Sequence, residues 1–365
     1  MFRLIFRLLS LGLLVSAAVF AWRTWMVLGR TPRGARLARC QASPNWRDGA
    51  FRFSEPTVVM DGKHKWKWSE TKDFFFGNEE LRLSPETPLE VVRTDLAALP
   101  RDRDWLVWFG HSSYLLNLGG VRYLVDPVFG RASPIPLSGR PFPATYRYTA
   151  RDIPAVDFVV LTHDHYDHLE WPTVRALRKK AARFVCPLGV GEHLEKWGVA
   201  PDKITELDWG ESDEASGLTA LPARHFSGRT FKRNQSLWAA WLLEAGGRKL
   251  FLGGDGGYGK HFAATGEEHE GIDLAILENG QYNDAWPLIH CRPAELAQAV
   301  RDLRCKAFLT VHHGKYILSR HPWDEPWENE RAAAEETGVP LLSPRMGEVL
   351  WLDELPPVTR GEPVP

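Results

Sequence analysis

Leu161-Thr162-His163-Asp164-His165-Tyr166-Asp167-His168 closes an apolar run that starts at Asp157. The run Asp157–Thr162 reads as a buried strand, and the pattern H-x-H-x-D-H begins at its end. Imidazole and carboxylate donors at this density suit a divalent metal, zinc above all, at about 2.0–2.2 Å from each donor. On a loop leaving a strand, His163 and His165 can point to one ion while Asp167 and His168 turn to a second. The bland alternative, a polar loop with chance histidines, would place an unpaired cluster directly beneath an all-apolar strand, which is costly.

Working outward, short apolar runs at Trp105–Phe109, Ser113–Leu118 and Val121–Asp126 predict strands, the last two joined through Gly119-Gly120. After the motif, Pro172 opens a predicted helix Thr173–Lys180, and Gly198 ends another over Gly189–Trp197. Strands follow at Lys203–Leu207, Leu218–Pro222, Leu237–Leu243 and Lys249–Gly253, with Gly246-Gly247 turning the last hairpin. Then come a buried strand Asp273–Glu278, a helix Pro293–Leu303, a strand Ala307–His312, a helix Pro326–Thr337 and a strand Val349–Leu352. No short-period repeat is visible. Strands first, then strands mixed with helices, predict two sheets flanked by helices in one domain over residues 95–355, with a tail at 356–365. Residues 29–94 show no sustained periodicity and read as a linker and N-terminal extension lying on that domain.

The composition of the 365 residues, 44% hydrophobic and 25% charged, is that of a globular protein, and 16 Trp indicate aromatic-rich packing or an amphipathic surface. The net charge of −1 conceals an asymmetry: residues 1–40 hold seven Arg and no acid, leaving −8 on the rest. An acidic body without a basic stripe excludes nucleic acid as the partner. In residues 1–28, Leu8–Trp22 carries no charge and spans about 22 Å as a helix, short of the roughly 30 Å hydrocarbon core. Extension to Leu28, with Arg23 snorkelling, gives a membrane anchor. The Arg excess after it would then hold the body in the cytoplasm. A signal peptide cleaved after Val19-Phe20-Ala21 is the other reading and reverses the side; a helix buried in the domain is a third. The four Cys form no metal or disulfide pattern, Cys40 lacks a lipobox, and Cys186 and Cys305 read as core residues.

The motif and its flanks resemble the metallo-β-lactamase superfamily. Trp108-Phe109-Gly110-His111-Ser112-Ser113, Leu124-Val125-Asp126-Pro127, Ile276-Leu277-Glu278-Asn279-Gly280 and Trp323-Asp324-Glu325-Pro326 resemble one branch of it. That branch holds the phospholipases D that hydrolyse N-acylphosphatidylethanolamine and bacterial RomA-like relatives. The resemblance runs from about Trp105 to Glu348 and implies a four-layer αββα sandwich with two metal ions. It implies three further ligands after the first four, and His225, Asp255 and His312 stand in the right chain order at predicted strand ends. Asp255 would bridge the two ions; where the family has Trp, this chain has His313, so His312 is the choice over His313. Asp126 or His111 would hold a ligand imidazole in one tautomer, although a structural role for His111 competes. His321 is a candidate to contact substrate or protonate a leaving group, against a solvated loop histidine. His64, His193, His261, His269 and His290 have no such context.

The expected activity is therefore that of a hydrolase with two zinc ions sharing a water whose hydroxide attacks the substrate; the same N/O donors accept iron or manganese. The resemblance and the apolar N-terminal segment favour an N-acylphosphatidylethanolamine-like phosphodiester at a membrane surface. A lactone or ester hydrolase is the alternative, because ascorbate-lactone hydrolases share the Gly-His-Ser start; a non-catalytic, membrane-associated metal-binding protein is another. The expected setting is a bacterial, membrane-associated protein that takes phospholipid or another small ester or diester, with a homo-oligomer left open.

Overall fold

In the computed structural model, residues 2–60, 67–76, 78, 80–135, 138–230 and 232–353 are described. The tail 356–365 and His64 fall outside them. An apolar helix α1 (Phe2–Val27) leads into α2 (Gly34–Ala42), a two-stranded ribbon β1 (Trp46–Arg47) and β2 (Ala50–Phe51), and α3 (Trp68–Phe76). The body follows with β3 (Trp105–Trp108), β4 (Tyr114–Leu118), β5 (Val121–Val125), β6 (Val156–Val160), α4 (Trp171–Leu177), β7 (Ala181–Pro187) and α5 (Gly191–Lys196). A short 3₁₀ turn precedes β8 (Ile204–Leu207), then β9 (Ser212–Asp213), β10 (Leu218–Leu221), β11 (Ala240–Ala245), β12 (Arg248–Leu252) and α6 (His261–Glu268). The chain continues through β13 (Leu274–Glu278), α7 (Pro293–Leu303), β14 (Phe308–Val311), α8 (Glu325–Thr337) and β15 (Val349–Trp351).

Seven strands form one mixed sheet in the order β15-β3-β4-β5-β6-β7-β8, and six form the other as β14-β13-β12-β11-β10-β9. Alternation along each strand explains how they stack. In β3, Leu106 and Trp108 point between the sheets while Trp105 and Val107 point outward beneath α4 and α5. In β11, Trp241 and Leu243 point between the sheets, and Ala240 and Leu242 outward beneath α6 and α7. Strands with both faces covered are predominantly apolar, as in β13, which is apolar up to Glu278 at its end, and β14, whose one polar residue is Thr310. The result is the four-layer αββα sandwich the resemblance implies, with a separate N-terminal apolar helix.

Five local features depart from the sequence expectations. The predicted helix Thr173–Lys180 ends at Leu177, and β7 follows where no strand was predicted. The strand expected at Leu237–Leu243 begins only at Ala240. The helix α6 carries no sequence signal strong enough to have been predicted. Residues 29–94 contain α2, a β-ribbon and α3 rather than irregular chain, because distant partners order them. Arg36 on α2 pairs with Glu192, Glu195 and Glu206, while Cys40 and Phe51 enter the core beside Trp238.

Candidate metal centre

The strand ends that the topology brings to one edge of the sandwich carry the polar residues. β6 runs into His163–His168, β10 into His225, β12 into Asp255, β14 into His312, and the β3–β4 turn holds His111. Gly254, with φ of +60°, lies so close to the Thr162 side chain that a Cβ there would meet it at 2.8 Å. That contact lets the Asp255 turn approach the motif loop. Backbone hydrogen bonds tie the His111 turn to the chain leaving β14, His312 N–H donating to His111 O at 3.1 Å and His111 N–H to His313 O at 2.8 Å. His111, Asp126 and His312 all have positive φ, a conformation that non-glycine residues hold only where surrounding contacts enforce it.

The side chains fall into two sets that share Asp255. In the first, Nδ1 of His165 stands 2.8 Å from Nε2 of His163 and 3.2 Å from Nε2 of His225. Oδ2 of Asp255 lies 3.8 Å and 3.7 Å from the other two nitrogens. In the second, Nε2 of His168 is 3.3 Å from Asp167 and 3.1 Å from Asp255, whose other oxygen is 3.1 Å from Nδ1 of His312. His111 joins this set through Asp167, at 2.9 Å. All seven residues expected from the sequence thus converge. His313 does not: its ring packs between Trp108 and Trp327 and meets Thr310 Oγ1 at 3.1 Å.

This donor set fits metal ions. Tetrahedral ligands at zinc–nitrogen distance sit roughly 3.3 Å apart, close to the nitrogen separations seen. In three of the imidazoles the far nitrogen is already engaged. Nδ1 of His163 meets Thr162 Oγ1 at 2.9 Å, Nδ1 of His168 meets Asp126 at 2.8 Å, and Nδ1 of His225 donates to Ile289 O at 2.8 Å. In the ligating tautomer these partners hold the proton on Nδ1 of the three rings, so that each Nε2, aimed inward, is the donor to a metal. Nε2 of His168, Nε2 of His312 and Oδ1 of Asp255 are buried without a hydrogen-bond partner.

Electrostatics agree. Burial holds the imidazoles of His163, His225 and His312 well below their ordinary pKa, in the neutral form that ligates. His168 is the exception: burial opposes its charge, but Asp255, Asp167 and Asp126 together hold it well above the ordinary value. Three buried carboxylates in one place need positive charge, and without an ion the His168 proton supplies it. Burial likewise raises Asp255 to about 7.

Two residues escaped the sequence reading of the site. Glu278, quoted above only as part of a motif, is buried at the end of β13, and burial raises its carboxyl well above the usual range. It accepts the Cys291 and Gly256 N–H groups and meets Nδ1 of His290 at 2.7 Å. Glu278 and His290 stand with Asp255 and His312 as a third acid–imidazole group. An acid closing an otherwise apolar strand was the available signal for Glu278; His290 offered none. His321 is not brought to the centre: its Nε2 accepts the Gln281 N–H at 2.8 Å and its Nδ1 donates to Pro322 O at 2.8 Å. With both nitrogens held by backbone, the ring supports the Gln281 turn and lies in neither donor set.

Two mixed sheets between helices, with a His/Asp group at their strand ends, define a metal-dependent hydrolase of the metallo-β-lactamase fold. The chain belongs to this superfamily: the model of the beta-lactamase superfamily domain matches residues 121–313. It is 39% identical to an uncharacterized protein of Mycobacterium tuberculosis over 93% of this chain and 95% of that one. It is 32% identical to the N-acyl-phosphatidylethanolamine-hydrolyzing phospholipase D 1 of Caenorhabditis elegans, over 66% of this chain and 74% of the relative. Outer membrane protein RomA of Klebsiella pneumoniae is 55% identical over 26% of this chain and 72% of its own length. The solved structure of Igni18, a metallo hydrolase from Ignicoccus hospitalis, superposes with a TM-score of 0.52 at 20% identity, covering 68% of this chain and 97% of that one. CmlA, a diiron β-hydroxylase from Streptomyces venezuelae, does so at 0.52 and 19%, covering 68% and 54%. Both show the shared fold.

Proposed function

We propose that the chain is a dinuclear zinc hydrolase that cleaves N-acylphosphatidylethanolamine-like phospholipids as a phospholipase D. His163, His165, His225 and Asp255 would hold one ion, and Asp167, His168, His312 and the shared Asp255 the other. The observation that carries the reading is the convergence of both sets on Asp255, with buried donor atoms left unpartnered. Imidazole and carboxylate donors favour zinc, while the diiron protein of the same fold makes iron the alternative to measure. The diester is supported by the named activity of the C. elegans relative and by the apolar helix α1, which is long enough to cross a bilayer. In this reading residues 1–28 anchor the chain to a membrane, 29–94 connect it, and 95–355 form the hydrolase domain.

Bound in these two sets, the cations would supply Lewis acidity and lower the pKa of a water towards neutrality. The chain does the rest. Thr162, Asp126 and Ile289 keep the protons of His163, His168 and His225 on Nδ1, so that each Nε2 offers a lone pair. His111 orients the Asp167 carboxylate. In the diester reaction the water oxygen bonds to phosphorus, the bond to the headgroup oxygen breaks, and the departing alcohol takes up a proton.

Hydrolysis of a panel of phospholipid diesters, nucleotide diesters and lactones, each with and without chelator, tests this. Chelator-sensitive release of phosphatidic acid is the expected result. Lactone opening alone would replace the diesterase by a lactone or ester hydrolase, and stoichiometric metal with no turnover would leave a metal-binding protein only.

A further inference from the structure

Asp164, between His163 and His165, belongs to neither donor set, yet it is buried and fully engaged. Its Oδ1 accepts the Gly228 N–H at 2.7 Å; its Oδ2 accepts Ser236 Oγ–H at 2.8 Å and Nε2–H of His193 at 3.2 Å. The other nitrogen of His193 accepts the backbone N–H of Arg30 at 2.9 Å. Arg30 lies three residues past the end of α1.

A second route reaches the same loop. The buried guanidinium of Arg229 donates to Asp164 O at 2.6 Å and Leu169 O at 2.7 Å, at the two ends of the motif, and to Val27 O at 2.8 Å. It also lies over the Tyr166 ring, 4.0 Å from the centroid. A guanidinium offers its donors in a rigid fork, so moving one acceptor disturbs the others.

The end of α1 is otherwise docked rather than tethered. Lys196 donates to Trp25 O and Gly29 O, Trp197 Nε1 donates to Met26 O at 2.7 Å, and Trp22 packs edge-on against Trp171 at 5.4 Å. These bonds satisfy carbonyls that a helix end leaves open. Gly29 is needed for the fit: its φ is +69°, and a Cβ there would lie 2.1 Å from Nδ1 of His193. Along the rest of α1 the described apolar side chains from Ile5 to Phe20 are largely exposed.

We propose that the segment Val27–Arg30 is a positioning element of the metal-binding loop, acting on Asp164 through Arg229 and His193. Docking of the apolar helix and metal affinity at the His163–His165 pair are then linked. The proposal rests on the reading of this centre as a metal site. Linkage is reciprocal, so metal binding also tightens the docked segment.

The test uses the full chain in lipid nanodiscs. Zinc affinity is measured by competition with a chelating dye, and amide exchange across residues 22–33 is followed with and without zinc. Gly29→Ala and Arg229→Lys should each weaken zinc about tenfold, the lower end of the effect of outer-shell partners. Gly12→Ala, mid-helix with open space around it, should bind as the parent does. Zinc should slow exchange at residues 25–30 in the parent and not in Arg229→Lys. Parental zinc affinity in Gly29→Ala, or exchange at 25–30 that ignores zinc in the parent, overturns the proposal; both measurements stand even where Arg229→Lys does not fold. A parent chain that takes up no zinc, iron or manganese removes the metal reading itself, and this proposal with it.

Discussion

Asp126 accepts Nδ1–H of His168 at 2.8 Å with one carboxylate oxygen and the Thr162 backbone N–H with the other, also at 2.8 Å. One side chain at the end of β5 thereby fixes both the tautomer of a metal-facing imidazole and the point where β6 becomes the motif loop. Asp126→Asn should therefore lower metal affinity by about 10–100-fold, as loss of such a partner does elsewhere. A chelator competition titration measures it, and unchanged affinity would sink the assigned role.

His165 is half-exposed on its loop, and its Nδ1 meets the two other imidazoles of the first set. His165→Ala should cost turnover more than the roughly 100-fold upper range of outer-shell changes, with the metal-free melting temperature nearly unchanged. Asp167→Asn should behave alike at the second set. Parental turnover by metal-replete His165→Ala protein would refute the mechanism.

Metal binds the folded chain, whose donors converge only there. At an ion concentration 1,000 times the dissociation constant this contributes about 4 kcal/mol. For a body of this size the expected rise in melting temperature is about 8–16 °C, read by calorimetry before and after chelation. No rise on adding zinc, iron or manganese would exclude a preformed site.

Gly254→Ala places a methyl 2.8 Å from Thr162 at a φ of +60°. Strain of this kind costs on the order of 1–3 kcal/mol, and it should also displace Asp255. Denaturant midpoint and metal affinity should fall together; a fall in stability with parental metal affinity would separate the turn from the centre.

The apolar helix is expected to hold the protein in the membrane fraction. Leu13→Arg and Val15→Arg each put a charge near the middle of the span, costing about 2.5–3.5 kcal/mol for insertion. The double variant should move to the soluble fraction on alkaline extraction, and retention there would argue that α1 does not span.

The motif 163–168 and its buried strand were legible as a local signal, whereas His225, Asp255 and His312 were singled out by the family resemblance, which their places at predicted strand ends supported. The order of strand and helix patterns predicted two sheets flanked by helices, and the resemblance supplied the four-layer αββα arrangement. What stayed hidden was non-local. β7, with polar Arg183 amid apolar residues, is a strand because it lies between β6 and β8. α2 is held by Arg36 pairing with acids more than 150 residues away. His290 stands in the centre through contact with Glu278, and both nitrogens of His321 are held by the backbone of Gln281 and Pro322.

The sequence by itself determined that donors of the right chemistry exist and which strands carry them, since ligand type and strand periodicity are properties of neighbouring residues. The division of H-x-H-x-D-H between two sets was already expected from the loop and the resemblance; only the tertiary structure added Glu278 and His290 beside Asp255 and His312. It alone decided which far nitrogens are capped and that the end of the apolar helix is bonded to the motif loop. Those outcomes depend on where separate strand ends meet in space, and distances between them are fixed by packing rather than by spacing along the chain.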